Sequence, residues 1–473
     1  MAEALWTIDE LAGATGGTVR GEPAKHFNGV SIDSRTVARG DIFVAIKGER
    51  QDGHDFVVNA LRAGAGIAIV SRPTADMEAA GPLLVVDDPL AALENMGRAA
   101  RGRSLAQIIA VTGSVGKTST KELLNLALAQ SGLTHASAAS FNNHWGVPLT
   151  LARVQRECAF GVFEIGMNHA GEITPLTRMV RPHVAIVTAV AASHLGHFAS
   201  LAEIADAKSE IFLGLEPGGT ALINRDSEFY ERLAAAARKA GCERIIGFGR
   251  NEAAEIRLER VALHSECSCV TASILGETII YKLGIPGEHH ALNSLAVLGA
   301  VKLVGADLAR AALALATAAP AKGRGVRFRL MAPSGEFMLI DESYNANPAS
   351  MRAALALLAN AKTGRGGRRI AVLGDMLELG EQGPQLHAEL AGAVDEARVD
   401  VLYACGPLMG NLWEKTPGSR RGAYAETSDK LKDALLDSLR GGDVVMIKGS
   451  LGSRMGPIVE AIKSRFPEAR RDS

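Results

Sequence analysis

Long apolar runs are missing from this chain of 473 residues: none reaches the ~20 consecutive residues that a membrane-spanning helix needs. The opening stretch MAEALWTIDELAG carries acidic residues and no apolar core of signal-peptide length, so the expectation is a cytoplasmic protein with no stable membrane insertion. Cysteine is scarce. The five present (Cys158, Cys242, Cys267, Cys269 and Cys405) are odd in number and scattered, which argues for a reducing compartment and against a disulfide framework. Cys267 and Cys269 are spaced C-x-C, but no second cysteine or histidine pair completes a zinc site. Charge of one sign is not in excess either: 51 Lys and Arg against 52 Asp and Glu leave a net charge of −1. No chain-wide basic field therefore points to nucleic acid or to an anionic membrane. Short-period repeats and low-complexity tracts are absent as well.

What is there is the composition of a folded protein, 47% hydrophobic and 22% charged. The length calls for two to four domains at roughly 100 to 200 residues each. Residues 1–86 mix a short helix pattern (TIDELAGATG) with strand-like runs (DIFVAIKG, GAGIAIV, PLLVVDD), a small α/β unit. From 87 to 320, apolar strands such as AFGVFEIG, HVAIVTAV and TALINRD alternate with amphipathic helices. That alternation predicts a doubly wound, mainly parallel sheet covered on both faces. Strands with turns between 254 and 286 read as an antiparallel addition to it, followed by a helix at 289–304. A joint rich in Pro, Gly and Arg (APAKGRGVRF) opens 321–473, where FMLIDES, RRIAVLGDM, VDVLYACG and DVVMIKGS predict a second, Rossmann-like sheet.

The chemistry concentrates in IIAVTGSVGKTST, residues 108–120, an apolar strand running into a glycine loop and then a helix. In such a P-loop, successive N–H groups converge on phosphate oxygens, a lysine neutralises charge and a Ser or Thr hydroxyl ligates Mg²⁺. Gly113, Ser114, Val115 and Gly116 form the expected cradle, Lys117 reaches the phosphates, Thr118 the magnesium, and Ser119 is a further nucleotide-binding residue. Val111 stands where the longer loop pattern has its first glycine. No N-K-x-D guanine signature is present, LINRDS at 222–227 being the nearest stretch, so ATP is the expected nucleotide. Glu164 ends one apolar strand and His194 follows the next, the positions where a doubly wound sheet gathers ligands and a carboxylate can hold a metal. Alone, Lys208 in ADAKSEIF reads as a surface lysine on a helix.

Taken together these residues resemble the Mur ligases of peptidoglycan synthesis, over essentially the whole chain. The short loop is the family's T-G-[ST]-x-G-K-T-[ST], found at Thr112–Ser119, and SFNNHWGVPLTL, with Asn142 and Asn143, is similar to its N-x-G-x-P-x-[TS] stretch. The resemblance implies a Mg²⁺-binding Glu164 and His194, and a Lys208 carboxylated by CO₂ whose carbamate helps to hold a second Mg²⁺. GEHHALNSLAVLGA carries a G-x-H-x-x-x-N pattern that implies Asn293 near the adenine with His289 in support. The family arginine of the third domain falls at Arg327 by spacing, with Arg324 as its rival. LIDESYNANPASM implies ribose contacts from Glu342, Tyr344 and Asn345, Glu342 standing where an aspartate is usual. Ser34, Arg35, Lys47 and His54, in SIDSRTVARGDIFVAIKGERQDGHDF, fall in the segment that receives a UDP-sugar.

VLGDMLELG (372–380) and IKGSLGSRM (447–455) resemble stretches of the branch that joins D-alanyl-D-alanine to a UDP-N-acetylmuramoyl tripeptide, and the D-N-P-R motif of the diaminopimelate-adding branch is missing. The implied reaction makes an acyl phosphate from the tripeptide carboxylate and ATP, which the dipeptide amine then attacks. A monomer with a hinge near 319–325 is expected. A tripeptide-forming relative, a folylpolyglutamate-like ligase and a non-catalytic P-loop switch are the alternatives. The folylpolyglutamate relatives lack the UDP-sugar domain for which this chain has residues to spare ahead of the loop.

Overall fold

The computed structural model describes residues 4–48, 51–138, 140–193 and 195–469. The first unit is a five-stranded sheet of β1 (Thr18–Arg20), β2 (Gly29–Ser31), β3 (Asp41–Val44), β4 (Ile67–Val70) and β5 (Leu83–Val85). Its order is β1-β5-β4-β3-β2, parallel except for β1 against β5. Helix α1 (Pro89–Arg103) leaves it with two start signals, an Asp88 side chain that accepts from the Leu90 N–H at 2.8 Å and a proline in the first turn. The buried face of α1, with Leu93, Met96 and Ala100, packs on Trp6 and Phe27 and on Leu149 and Ala152 of α3 (Gly146–Ala152). One apolar cluster thus fastens the first unit to the second, and the Trp6 Nε1–H donates to the Ala152 carbonyl at 2.8 Å.

The second unit holds nine strands: β6 (Gln107–Thr112), β7 (Thr134–Ala136), β8 (Phe160–Glu164), β9 (Val184–Val187), β10 (Thr220–Asn224), β11 (Arg244–Gly249), β12 (Ile256–Leu263), β13 (Ser268–Ile274) and β14 (Glu277–Leu283). The order β14-β13-β12-β11-β10-β9-β6-β8-β7 puts β6 where the chain's direction of travel across the sheet reverses. Both faces are covered, which is why β6 is apolar without alternation. Ile109 and Val111 face the core beneath α2 (Lys117–Leu128) and α5 (Glu288–Leu303), while Ile108 and Ala110 face the core that contains α4 (Leu201–Ser209). The added strands β12 to β14 pair antiparallel with one another as expected, but β12 itself joins β11 in parallel.

The third unit comprises β15 (Val326–Ala332), β16 (Gly335–Glu342), β17 (Arg369–Gly374), β18 (Val401–Cys405), β19 (Arg421–Ala425) and β20 (Val444–Lys448) in the order β15-β16-β20-β17-β18-β19. Only β15 is antiparallel. The chain skips from β16 to β17 and returns last to fill the gap with β20, so the switch point lies between β20 and β17. Helices α6 (Pro348–Asn360) and α7 (Gly456–Arg465) follow β16 and β20. This unit closes onto the second: Leu195 packs against the cores of both, and the Gly196 N–H donates to the Glu378 carbonyl at 3.0 Å. Among the described residues no helix is long and apolar enough to cross a membrane.

Arg101 ties the end of α1 into the second unit. Only 5% exposed, it donates from Nε to the Val180 carbonyl and from Nη2 to the Arg181 carbonyl, both at 2.8 Å, and meets Glu216 at 3.1 Å. Arg101→Met strips these acceptors of their donor and is expected to lower unfolding free energy by roughly 2–4 kcal/mol. A urea titration should show this as an earlier midpoint at unchanged slope; an unmoved midpoint would show that the arginine is not part of the anchor.

Candidate active site

Strand register fixes the site. In the parallel ladder Glu164 at the end of β8 lies opposite Val111, and Val187 of β9 lies opposite Thr112, so both neighbours of β6 end where the glycine loop begins. The loop is sewn to the segment after β9. The Ser114 N–H donates to the Ala189 carbonyl at 2.7 Å, its hydroxyl to the Ala191 carbonyl at 2.8 Å, and the Thr188 hydroxyl to the Val115 carbonyl at 2.6 Å. Gly113 has φ +151° and a Cβ there would meet the Thr188 hydroxyl at 2.0 Å, so only glycine fits. Gly116 is the N-cap of α2 at φ +84° and has no side chain to occupy the helix's free N–H groups. Those groups and the positive end of the helix dipole are left for an anion.

Around that anion hole the structure assembles charge from four elements. The Lys117 Nζ donates to the Gly113 carbonyl at 2.7 Å, folded back over the loop. The Thr118 hydroxyl donates to Glu164 Oε2 at 2.9 Å, and the Asn142 amide to Glu164 Oε1 at 2.7 Å. Glu164 is 1% exposed and Thr118 5%. Lys208 is no surface lysine: it is 2% exposed, and burial together with the charge of Lys117 holds its ammonium well below the usual lysine range. Burial lowers Lys117 too, with Glu164 opposing the shift and Arg324 adding to it. His194 lies outside the described residues.

The first turn of α5 closes the other side. A Cβ on Gly116 would come within 2.8 Å of the Asn293 amide nitrogen, which places that side chain on the loop itself. The rings of His289 and His290 lie 4.0 Å apart, both pushed by burial toward the neutral form. His290 Nδ1 is buried and has no hydrogen-bond partner among the described residues. It lines a cleft of about 260 Å³ together with Ser119, Glu122 and Leu126 of α2, Ile285, and the joint Thr317–Ala321.

The third unit delivers its part through a tight joint. Gly323 (φ +72°) and Gly325 (φ +100°) flank Arg324, whose guanidinium stacks 4.3 Å over the Tyr344 ring and whose charge is felt at Lys117. Arg327, the choice made by spacing, is the second residue of β15 and its guanidinium donates to the Ser265 carbonyl at the tip of the β12–β13 hairpin, whereas the charge felt at Lys117 is that of its rival Arg324, ahead of the strand. Glu342 is joined by a residue that sequence reasoning had not singled out: Lys448, 3% exposed at the end of β20, donates to Glu342 Oε2 at 3.2 Å and to the Asn345 carbonyl at 2.9 Å. Its signal was there, a lysine ending an apolar strand of a doubly wound sheet. His289 senses the charges of both, so α5, β16 and β20 meet at one place. The Asn345 side chain is spent locally, accepting from the Ala346 N–H at 2.8 Å.

The remaining candidates are not brought to the loop. Asn143 accepts from the Gly146 N–H at 2.9 Å, holding the start of α3 while its neighbour reaches Glu164. In the first unit Ser34 is half-buried and Lys47 exposed. Arg35 folds onto Asp33, 2.6 Å away. Both ring nitrogens of His54 are engaged: Nε2 accepts from the Ser71 N–H at 3.0 Å, so Nδ1 carries the hydrogen toward Asp52 at 2.7 Å. Asp52, bonded by the His54 N–H and beside Arg72, is held at about 2. His54 thus braces the first sheet.

The oxygen pair of Thr118 and Glu164 fits a hard divalent cation such as Mg²⁺, which retains waters and shares ligands with a phosphate. No group of three or more His, Cys, Asp or Glu able to hold a metal occurs among the described residues. Because folding depresses the Lys208 pKa while the unfolded chain protonates it normally, stability relative to Lys208→Met should rise with pH toward the ordinary lysine value of 10.5. Denaturant titrations at pH 7 and 9.5 in CO₂-free, Mg²⁺-free buffer measure it; a difference independent of pH would mean the ammonium is solvated.

Three family models match the chain in tandem, described as Mur ligase family, catalytic domain (residues 26–101), Mur ligase middle domain (111–301) and Mur ligase, glutamate ligase domain (326–451). The UDP-N-acetylmuramoyl-tripeptide--D-alanyl-D-alanine ligase of Escherichia coli is 33% identical over 97% of this chain and 98% of its own length. That of Rickettsia prowazekii is 31% identical over 96% and 99%. Among solved structures, MurF from Acinetobacter baumannii superposes with a TM-score of 0.84 at 30% identity, covering 97% of this chain and 99% of that one. MurF ligase from Thermotoga maritima in complex with ADP gives 0.75 at 26% identity, covering 92% and 97%. A three-sheet architecture, a short phosphate loop with its buried carboxylate and lysines, and matches running the length of the chain agree: the protein belongs to the Mur ligase family.

Proposed function

We propose that the protein is an ATP-dependent ligase that joins D-alanyl-D-alanine to UDP-N-acetylmuramoyl-tripeptide, giving the pentapeptide precursor of peptidoglycan in the cytoplasm as a monomer. The observation that carries the reading is the convergence of Lys117, Thr118, Glu164 and Lys208 on one glycine loop, with Arg324 supplied to it from the third unit. Residues 1–86 hold the UDP-sugar, 87–320 the nucleotide, and 321–473 the amine.

A carboxylate has too poor a leaving group to be joined to an amine directly, so ATP converts its oxygen into phosphate. The first step brings two anions together, the tripeptide carboxylate and the γ-phosphate, and demands dense positive charge. The N–H groups of Ser114 to Lys117 hold the phosphates, Lys117 neutralises them, and Arg324 covers them when the third unit closes. Mg²⁺, held by Thr118 and Glu164 and by His194 and a Lys208 carbamate, would supply further charge neutralisation at the phosphoryl oxygens. A lysine kept neutral by its surroundings is the form that adds CO₂, so the depressed Lys208 supports that modification. The base enters the cleft beside His290 and Asn293, and the ribose lies toward Tyr344 and Glu342. The dipeptide nitrogen then attacks the acyl carbon, the C–N bond forms, the acyl C–O bond breaks, and phosphate departs. Contact between the Gly196 and Glu378 segments keeps water from the acyl phosphate.

Mass spectrometry of a mixture of protein, ATP, Mg²⁺, UDP-N-acetylmuramoyl-tripeptide and D-alanyl-D-alanine should show the pentapeptide with ADP and phosphate in equal amounts. ADP released at the same rate without the tripeptide would rule the reading out. Lys117→Ala should lower kcat/KM by roughly 1,000-fold or more. Activity of Lys208→Ala should recover in part on addition of formate or acetate; no recovery at any concentration would remove the carbamate from the account.

A further inference from the structure

Two loops that the nucleotide site leaves unused meet at the switch point of the third sheet. One follows β17 (375–380) and the other β20 (449–455), and they are the stretches that resemble the D-alanyl-D-alanine branch of the family. They interlock. The Ser450 N–H donates to the Asp375 carbonyl at 3.0 Å and the Leu377 N–H to the Ser450 hydroxyl at 2.9 Å. A Cβ on Gly452 would strike Leu377 Cδ1 at 2.7 Å, and one on Gly374 would strike Met455 Sδ at 2.6 Å. They stand at the carboxyl edge of the sheet, the same edge from which Glu342 and Lys448 reach the nucleotide site. The first loop also touches the second unit through Glu378 and Gly196.

The chemistry of this rim is specific. Leu377 and Leu451 are exposed, at 40% and 68%, although each stands beside a well-packed core. Arg454 is exposed in a left-handed conformation (φ +54°), and its guanidinium has no hydrogen bond or ion pair among the described residues. Of the two carboxylates within these loops, Asp375 is occupied with the Leu408 and Met409 N–H groups at 3.3 and 2.8 Å, and Glu378 is engaged as well. An exposed cation on the same short turn as Leu451, in a loop packed against that of Leu377 at the strand ends, matches a small ligand with one carboxylate and short aliphatic side chains.

We propose that Arg454 binds the terminal carboxylate of the acceptor dipeptide while Leu377 and Leu451 flank its methyl groups, which makes this crevice the determinant of amine specificity. The inference rests on the ligase reading above. Anchoring the carboxylate here does two things: it turns the amino end toward the Glu378–Gly196 junction and the activated carbonyl, and it keeps the dipeptide's negative charge away from the phosphates.

The test compares D-alanyl-D-alanine with D-alanyl-D-alaninamide, which lacks the carboxylate. Wild-type protein should prefer the acid by roughly 10- to 100-fold in kcat/KM, the range of a charge-assisted hydrogen bond. In Arg454→Gln the preference should fall to within about 3-fold, through a higher KM for the acid, and Arg454→Lys should keep part of it because charge without the fork geometry is retained. An acid preference in Arg454→Gln equal to that of wild type overturns the assignment of Arg454. Wild-type protein that makes no pentapeptide from the acid overturns the ligase reading itself, a different outcome.

Discussion

Two lysines close enough to feel one another's charge, Lys117 half-buried on the glycine loop and Lys208 fully buried, govern the rest of the structure. Lys117 and Lys208 come from different helices; burial lowers the pKa of both, and the charge of Lys117 lowers that of Lys208 further. Two like charges in such a place are costly unless something anionic is brought to them. Glu164 compensates in part, but it is already shared between the Thr118 hydroxyl and the Asn142 amide. The remaining imbalance is an affinity for phosphate. Folding holds the site short of negative charge, and ATP and an acidic substrate supply it.

That constraint explains why three sheets are needed. The loop sits at the switch point of the second sheet, where strand ends on both sides can reach a ligand. A single crevice of that kind binds a nucleotide, but activating a carboxylate also requires a cation that arrives only when both anions are present. On the ligase reading Arg324 is that cation, standing on a glycine-flanked joint and stacked on Tyr344 of the third unit. The third sheet places a switch-point loop against the second unit through Glu378 and Gly196; on the ligase reading, closure there would assemble positive charge, exclude water and present the amine in one motion.

Much of this was legible in the residues. Unbroken apolar runs bounded by helical patterns identify the two doubly wound sheets, since strands buried on both faces cannot alternate. The phosphate loop is legible because glycines at 113 and 116 are needed sterically, against Thr188 and Asn293. Lys208 shows where single-residue reasoning stops: a lysine in a polar helix looks solvated, and only the packing of α4 against the sheet buries it. Arg327 and Arg324 are three residues apart in one basic run, and the choice between them depends on where β15 begins, which strand boundaries in sequence do not resolve. The ring of His54 is held between Asp52, two residues before it, and Ser71, seventeen residues on, a partner that becomes adjacent only in the folded sheet. Lys448 was overlooked for the opposite reason, as its partner Glu342 lies on a strand that neighbours β20 in space but not in order along the chain.

The central claim is that this electropositive site makes a carboxylate reactive by phosphorylating it. Isotope transfer tests that most directly. With both oxygens of the tripeptide's free carboxylate labelled with ¹⁸O, an acyl phosphate requires one labelled oxygen to leave with the phosphate in every turnover. Mass analysis of the released phosphate should therefore find a single ¹⁸O per molecule, matched to the pentapeptide formed. Phosphate free of label alongside normal pentapeptide yield would mean that the carboxylate never attacks ATP, and the charge arrangement described here would need another purpose.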